Sequence, residues 1–462
     1  MPFVLMIAGA GMVGTASADP GGVPNSHGNG FGRPQVLQCG AQVTRSTKLA
    51  ADIGPCVGTD GIDVVASGIR LDLNGHTITG ADTTNSTNVE QIGVRLANVH
   101  GVDVSGPGTI TKFDAGVGVT GGGGNLIRGL TVHDNISHVT FTGGVNPLDP
   151  EATACNWGDG IATDNSSHNT ITHNTAIHNG PFGGISLVDA STSNTVSDNS
   201  TSDQTVANSV PDTDNDNDAT NPETRATGDS DDAGPCGPFG ANTTGPGREY
   251  QDIGIRMEGP GAANNVVTNN KVTGSDLDGI SIFDNICTNN TRNVPPTAPN
   301  TGNLVEHNTV TDNGFAPGAY RDGIAVLQQG PAGVVCVPSD NSIVDNLSSG
   351  NSRDGIFMGG RDSHNNTINN NTVVNNGSPG SSGDGIQLTG PSSYTITNPD
   401  GSKTVVPLDG SNHNTLIGNV GHGNLHDDGF DGTPGCDSNN WANNIFVTVN
   451  QTCVDPSATV VP

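Results

Sequence analysis

Residues 366–376 read NTINNNTVVNN, and NTITHNTAIHN at 169–179 follows the same rule. Asn opens each stretch, an apolar residue stands at +2, Asn returns at +5, an apolar or small residue follows at +7, and Asn recurs at +10. The pattern returns at NTVSDN (194), NVVTNN (265), NLVEHN (303), NSIVDN (341) and NTLIGN (414). The +5 position is filled throughout by Asn174, Asn199, Asn270, Asn308, Asn346, Asn371 and Asn419. A decayed copy, GNLIRGLTVHDN at 124–135, carries Leu130 in that slot. A disordered Asn-rich tail would not keep such a register, so the repeat is architectural.

Each unit also carries a Gly-Ile signature with an apolar residue two positions on. It occurs at DGIAT (159), GGISL (183), IGIRM (253), DGISI (278), DGIAV (322), DGIFM (354), DGIQL (384) and DGFDG (428). The inward positions are then Ile161, Ile185, Ile255, Ile280, Ile324, Ile356, Ile386 and Phe430. Every unit holds three short alternating runs, and none has a 3.6-residue period long enough for a helix. Strands this short bury a core only by stacking unit on unit. The expected fold is all-β: a single right-handed parallel β-helix. Asparagine suits its corners because it tolerates positive φ, and because its amide can bond to the amide one coil away. Aspartate there would stack like charges.

The chain has 462 residues, with 46 acidic against 16 basic side chains and a formal charge of −30. That field argues against nucleic acid and anionic membranes as partners. Residues 1–18 read as a signal peptide, an apolar run ending in Ala16-Ser17-Ala18, so the protein is expected to be secreted. Residues 19–60 are expected to form an N-terminal cap and 436–462 a C-terminal cap with Trp441 and Phe446 as plugs. The β-helix would run over 61–435, with an acidic insertion at 203–249. Eight cysteines in an exported chain suggest four disulfides. Cys39–Cys56 and Cys436–Cys453 would tie the two caps; Cys155–Cys236 and Cys287–Cys336 would be the inner pairs.

LDLNGHTITG at 71–80 after a Cys-bounded segment, the N-x-I-x-x-N-x-V repeats, and the C-terminal S-N-x-W-x-x-N-x-F-x-T-x-N-x-x-C together resemble a known family. It is that of secreted actinobacterial right-handed parallel β-helix proteins, grouped with the pectin-lyase-like superfamily and NosD-like repeats. The resemblance spans roughly residues 36 to 455. It implies a polysaccharide lyase, hydrolase, epimerase or non-catalytic binder, and the expected partner is an extracellular polysaccharide bound by a monomer. A structural or adhesive surface protein is the alternative, and NosD-like metal delivery a weaker one.

Chemistry could sit in several places. Asp159, Asp278, Asp322, Asp354, Asp384 and Asp428 precede the Gly-Ile pairs, where strand parity puts the Gly outward and the Asp near a corner. They are candidates for acid–base work or for capping the turn through backbone N–H groups. Arg321-Asp322 and Arg353-Asp354 fall in consecutive coils, so the arginines could grip a carboxylate or form a salt-bridge ladder. His422, His426, Asp427 and Asp428 form a further acid–base candidate, in a segment similar to rearranged pieces of a polygalacturonase signature. Outward positions on the Gly-Ile strands include Arg256, Glu258, Phe283, Phe357 and Gln387, aromatic and polar groups of the kind that hold sugar rings. Long loops folding over that face would instead bury them. Asp212, Asp214, Asp216, Asp218 and Glu223 are spaced like an EF-hand loop and could bind Ca²⁺, although Asn217 stands where Gly is wanted; a solvated acidic loop is the other reading.

Overall fold

The computed structural model describes residues 32–81, 91–136, 158–180, 182–204, 253–259, 261–284, 299–314, 321–328, 338–359, 363–397, 402–408, 410–436 and 438–460. Three long parallel sheets of 14, 12 and 11 strands run side by side along one axis. Each coil contributes one strand to each sheet. In the coil around residue 366 these are Ile356–Gly359, Thr367–Asn369 and Thr372–Val374. Each strand pairs with its counterpart in the next coil, as in Ile368 with Leu416 and Val373 with Gly421. The fold is the expected solenoid, with coils about 4.8 Å apart.

The core is a single column of small aliphatic side chains. Ile324, Ile356 and Ile386 from the first sheet meet Ile343, Ile368 and Leu416 from the second and Val310 and Val373 from the third, all fully buried. The Gly of each Gly-Ile pair faces inward, not outward as parity implied. A methyl group on Gly355 would lie 2.7 Å from the Asn376 side-chain amide and 3.0 Å from Val373. The chain bends there, so two successive residues turn to the interior. Only a residue without a side chain lets the third corner approach so closely.

Three asparagine ladders line three corners of the coil. Asn371 donates through Nδ2 to Asn419 Oδ1 at 3.1 Å and to the Ile343 carbonyl at 2.8 Å, while its backbone N–H donates to the same Oδ1 at 2.9 Å. Asn308, Asn346, Asn270 and Asn199 repeat these bonds on the same corner. Asn366 and Asn376 belong to the two flanking ladders. Leu130 occupies the ladder slot as expected, and its N–H donates to Asn174 Oδ1.

One assignment is corrected. The ladder asparagines do not carry the left-handed backbone. That falls to the residue just before each, with φ of 55° at Asn370, 57° at Asn365 and 55° at Asn375, and likewise at His173, Asp198, Asn269, His307 and Asp345. Turning the chain and bonding between coils are thus divided between two neighbours.

Cys39–Cys56 and Cys436–Cys453 are disulfides. Cys155, Cys236, Cys287 and Cys336 lie outside the described residues, as do residues 1–31. The disulfide-tied segment at the start already forms a coil, since Ala41–Val43 pairs with Ile62–Val64 and Ile53–Cys56 with Thr77–Gly80. At the far end Phe446 is buried and stands edge-on to Trp441, their ring centroids 6.1 Å apart. The Trp441 Nε1 donates to Asp431 at 2.8 Å.

Candidate functional site

A fourth corner column differs from the other three. It precedes the first-sheet strands and is built of aspartates: Asp278, Asp322, Asp354, Asp384 and Asp427, all buried. Each carboxylate but the last, Asp427, accepts the backbone N–H of the next member. Asp322 N–H donates to Asp278 at 3.0 Å, Asp354 to Asp322 at 3.0 Å, Asp384 to Asp354 at 2.7 Å, and Asp427 to Asp384 at 2.9 Å. The expected turn-capping role is therefore present. The side chains also stack, and here the analogy with asparagine fails. A carboxylate offers no donor to its neighbour, so the column accumulates like charge out of water.

The acidities follow from that placement. Burial, then the neighbouring Asp322 charge, pushes Asp278 up to about 6. The same two causes hold Asp354 well above the ordinary carboxylate range. Burial raises Asp384, against the opposing Asp427 N–H and His426. Asp427 is pushed up to about 6, again chiefly by burial and against the pull of His426.

Two side chains contact this column directly, and the Arg321 charge adds to them at Asp278. The Arg353 guanidinium forks onto Asp322, with Nε donating to Oδ1 at 2.8 Å and a terminal nitrogen donating to Oδ2, while Nε lies 3.4 Å from Asp354. Burial alone would lower the Arg353 pKa, and the Asp322 and Asp354 carboxylates more than reverse it. Arg321 sits one coil earlier, and its carbonyl accepts the Arg353 N–H at 2.9 Å, so the two arginines do stack in sequence order. The grip on Asp322 comes from Arg353. At the other end, the half-exposed imidazole of His426 places Nδ1 3.1 Å from Asp384 Oδ1 and 3.1 Å from Asp427 Oδ2. Its ring nitrogen is aimed at Asp384. Both Asp427 oxygens are left without a hydrogen bond.

Asp428 is a second correction. The last Gly-Ile-like copy is shifted by one residue, so that Ile386 pairs with Gly429 and Gln387 with Phe430. Asp427 rather than Asp428 therefore continues the acidic column. Asp428 instead closes the third asparagine ladder, accepting from Asn424 Nδ2 at 2.7 Å and from the Val447 and Thr448 N–H groups. Phe430, assigned inward, points outward. The space it would have filled is taken by Phe446, which would crowd any side chain at Gly429. His422 lies on the third sheet, exposed, in the strand Val420–His422.

The outward face of the first sheet changes along its length. Arg256 and Glu258 are buried and paired with each other, and Arg256 Nε also donates to Ser186 at 2.8 Å and lies 3.7 Å from Asp159. The Phe182 ring lies 4.7 Å beneath the same guanidinium. This is an internal ion-pair network, not an open site. Asp159 belongs to it, its acidity weakened by burial in spite of Arg256. Ala325 and Leu327 are also buried. Phe283 stands between Glu258 and Leu327 in register, and its side chain lies outside the described residues.

Toward the C-terminal end the face opens. Phe357, Gln387 and Phe430 stack in register and are half-buried. The Arg353 guanidinium lies 4.4 Å over the Phe357 ring, and His426 has its ring centroid 6.5 Å from that of Phe430. The far edge of the Phe357 ring lies against Gly359, where an added methyl would come within 2.2 Å of it. The acidic column thus runs beside an aromatic–amide–aromatic strip, with Arg353 and His426 joining the two. Residues 212–223 of the EF-hand-like spacing lie outside the described residues.

The model of the right-handed beta helix region matches residues 67–221 and 249–401, and the chain belongs to that family. No curated protein matches it. Among solved structures it is similar to the catalytic domain of a GH87 α-1,3-glucanase in complex with nigerose, at 11% identity and a TM-score of 0.48 over 92% of this chain and 62% of that one. It is similar to the Dettilon tailspike protein at 14% identity and a TM-score of 0.45, over 88% and 60%. It is also similar to the tailspike protein of E. coli bacteriophage HK620 in complex with pentasaccharide, at 12% identity and a TM-score of 0.39, over 89% and 60%. The chain spans about three fifths of the length of these proteins, and what is shared is the fold.

Proposed function

We propose that this is an exported protein that binds an extracellular polysaccharide along the strip Phe357–Gln387–Phe430. The observation that carries this reading is the register of the strip. Two aromatic rings two coils apart, about 9.6 Å at the usual strand spacing, flank an amide and are bordered by Arg353 and His426. Aromatic rings stack on the apolar faces of sugars, and amide and guanidinium groups bond their hydroxyls. A repeating surface on a straight solenoid suits a repeating linear ligand. The formal charge of −30 favours a neutral polymer over a polyanion. Export is supported by the residue pattern of 1–18 and by two disulfides, which form in oxidising compartments.

A panel of neutral and acidic polysaccharides, screened for binding and for new reducing ends or unsaturated products, tests this reading. Binding to a neutral polymer that is lost in a Phe357→Ala, Phe430→Ala double variant supports it, and new chain ends would extend it from binding to processing. No binding to any member would overturn it in favour of a structural or adhesive role.

A further inference from the structure

The end of the acidic column carries a second inference, which does not rest on polysaccharide binding. We propose that Asp384, His426 and Asp427 form a site for a divalent transition cation, of the Zn²⁺ or Mn²⁺ kind. The imidazole nitrogen and one oxygen from each carboxylate all lie within 4.8 Å of one another. The two nitrogen-to-oxygen edges are each 3.1 Å. A small cation bonded to N and O ligands at about 2.0–2.2 Å, with angles between octahedral and tetrahedral, sets such edges at roughly 2.9–3.4 Å. Both edges from the imidazole nitrogen already stand at that spacing.

An independent observation comes from Asp427 itself. Its side chain is fully buried, and neither of its oxygens receives a hydrogen bond. One of them is turned toward the imidazole nitrogen. The one donor close to it, the His426 ring nitrogen, is aimed at Asp384, and a buried carboxylate so placed is costly unless a cation or a proton answers it. Asp384 is oriented from behind, since its Oδ1 accepts the Asp427 backbone N–H at 2.9 Å, which ties two of the three ligands together across adjacent coils.

The donor set selects the ion. Ca²⁺ takes six to eight oxygens, and Mg²⁺ keeps most of its water, whereas one imidazole with two carboxylates matches Zn²⁺ or Mn²⁺. Three protein ligands leave at least one position open. His426 is half-exposed while both carboxylates are buried, so that position faces outward.

The test is calorimetric titration of the chelator-stripped full chain with Zn²⁺, Mn²⁺ and Ca²⁺, with thermal melts alongside. Zn²⁺ should bind at one site and raise the melting temperature. In His426→Ala, a change at an exposed position, affinity should fall at least about tenfold and the thermal shift should vanish. Asp427→Asn keeps the shape of the side chain and should show the same loss, which separates ligation from misfolding. Ca²⁺ uptake, if present, should be unchanged in both variants. Absence of Zn²⁺ and Mn²⁺ binding, or equal binding by wild type and His426→Ala, would overturn the proposal and leave the imidazole sharing a proton with the two carboxylates.

Discussion

Two corners of the same coil stack a short polar side chain at the same spacing, and they behave in opposite ways. At Asn371 the side chain gives to Asn419 and the Ile343 carbonyl and receives from Asn346, so every polar atom finds a partner and the column is neutral. At Asp354 the side chain only receives. One oxygen is bonded by Asp384 N–H and Ser382 Oγ, and the other has no hydrogen bond. Replacing an amide by a carboxylate turns a self-satisfying ladder into a charged column that needs Arg353 and His426 beside it. The asparagine corners hold the solenoid together, and the aspartate corner stores charge next to the half-open strip.

The sharpest way to break this contrast is to exchange the chemistry of the two corners. Asn308→Asp removes the Nδ2 bonds to the Val267 carbonyl at 2.9 Å and to Asn346 Oδ1 at 3.0 Å. It also leaves a buried charge facing an acceptor. A loss of about 3–5 kcal/mol is expected, read as a lower urea midpoint.

The reverse exchange, Asp354→Asn, should stabilise the protein above neutral pH by on the order of 1 kcal/mol or more. The sign follows from the direction of the shift. The folded-state pKa of Asp354 lies above its unfolded value, so its contribution is fully present below about pH 4 and is lost as pH rises through the folded pKa. Subtracting the stability of wild type from that of Asp354→Asn at each pH should therefore give a difference that grows from pH 4 upward. Asp278, at about 6, should make wild-type stability fall over roughly pH 4 to 6 by the same reasoning. A flat difference curve would mean that the column carries no stored charge.

The strip can be sharpened with smaller changes. Phe430→Ala should weaken polysaccharide binding by about tenfold. Gly359→Ala should cost less, because its methyl meets only the far edge of the Phe357 ring. It is expected to lower affinity a few-fold by tilting that ring, with stability changed by less than about 1 kcal/mol.

The architecture was legible because a solenoid must repeat its inward pattern, and the Asn at +5 recurred in seven copies and the Ile after Gly in seven. Two details were written in the sequence and went unread. The residue before each ladder Asn is His, Asp, Asn, Gly or Ser, as in His173, Asp198, Asn269, Gly418 and Ser193. All are residues that accept positive φ, and all adopt it. The doubled acid at Asp427-Asp428 marks the one-residue shift that moves Phe430 to the surface. What no local pattern contained was which outward residues stay open. Arg256 and Phe357 occupy equivalent strand positions, and burial of one but not the other depends on what packs above each coil.

The most direct measurement is a paired scan of polysaccharide affinity. One set removes the strip, in Phe357→Ala and Phe430→Ala; the other trims outward threonines on the sheets bounded by asparagine corners, in Thr309→Ala and Thr367→Ala. The account predicts about tenfold weaker binding for each member of the first set and no change for the second. Equal losses in both sets, or losses confined to the threonines, would contradict it.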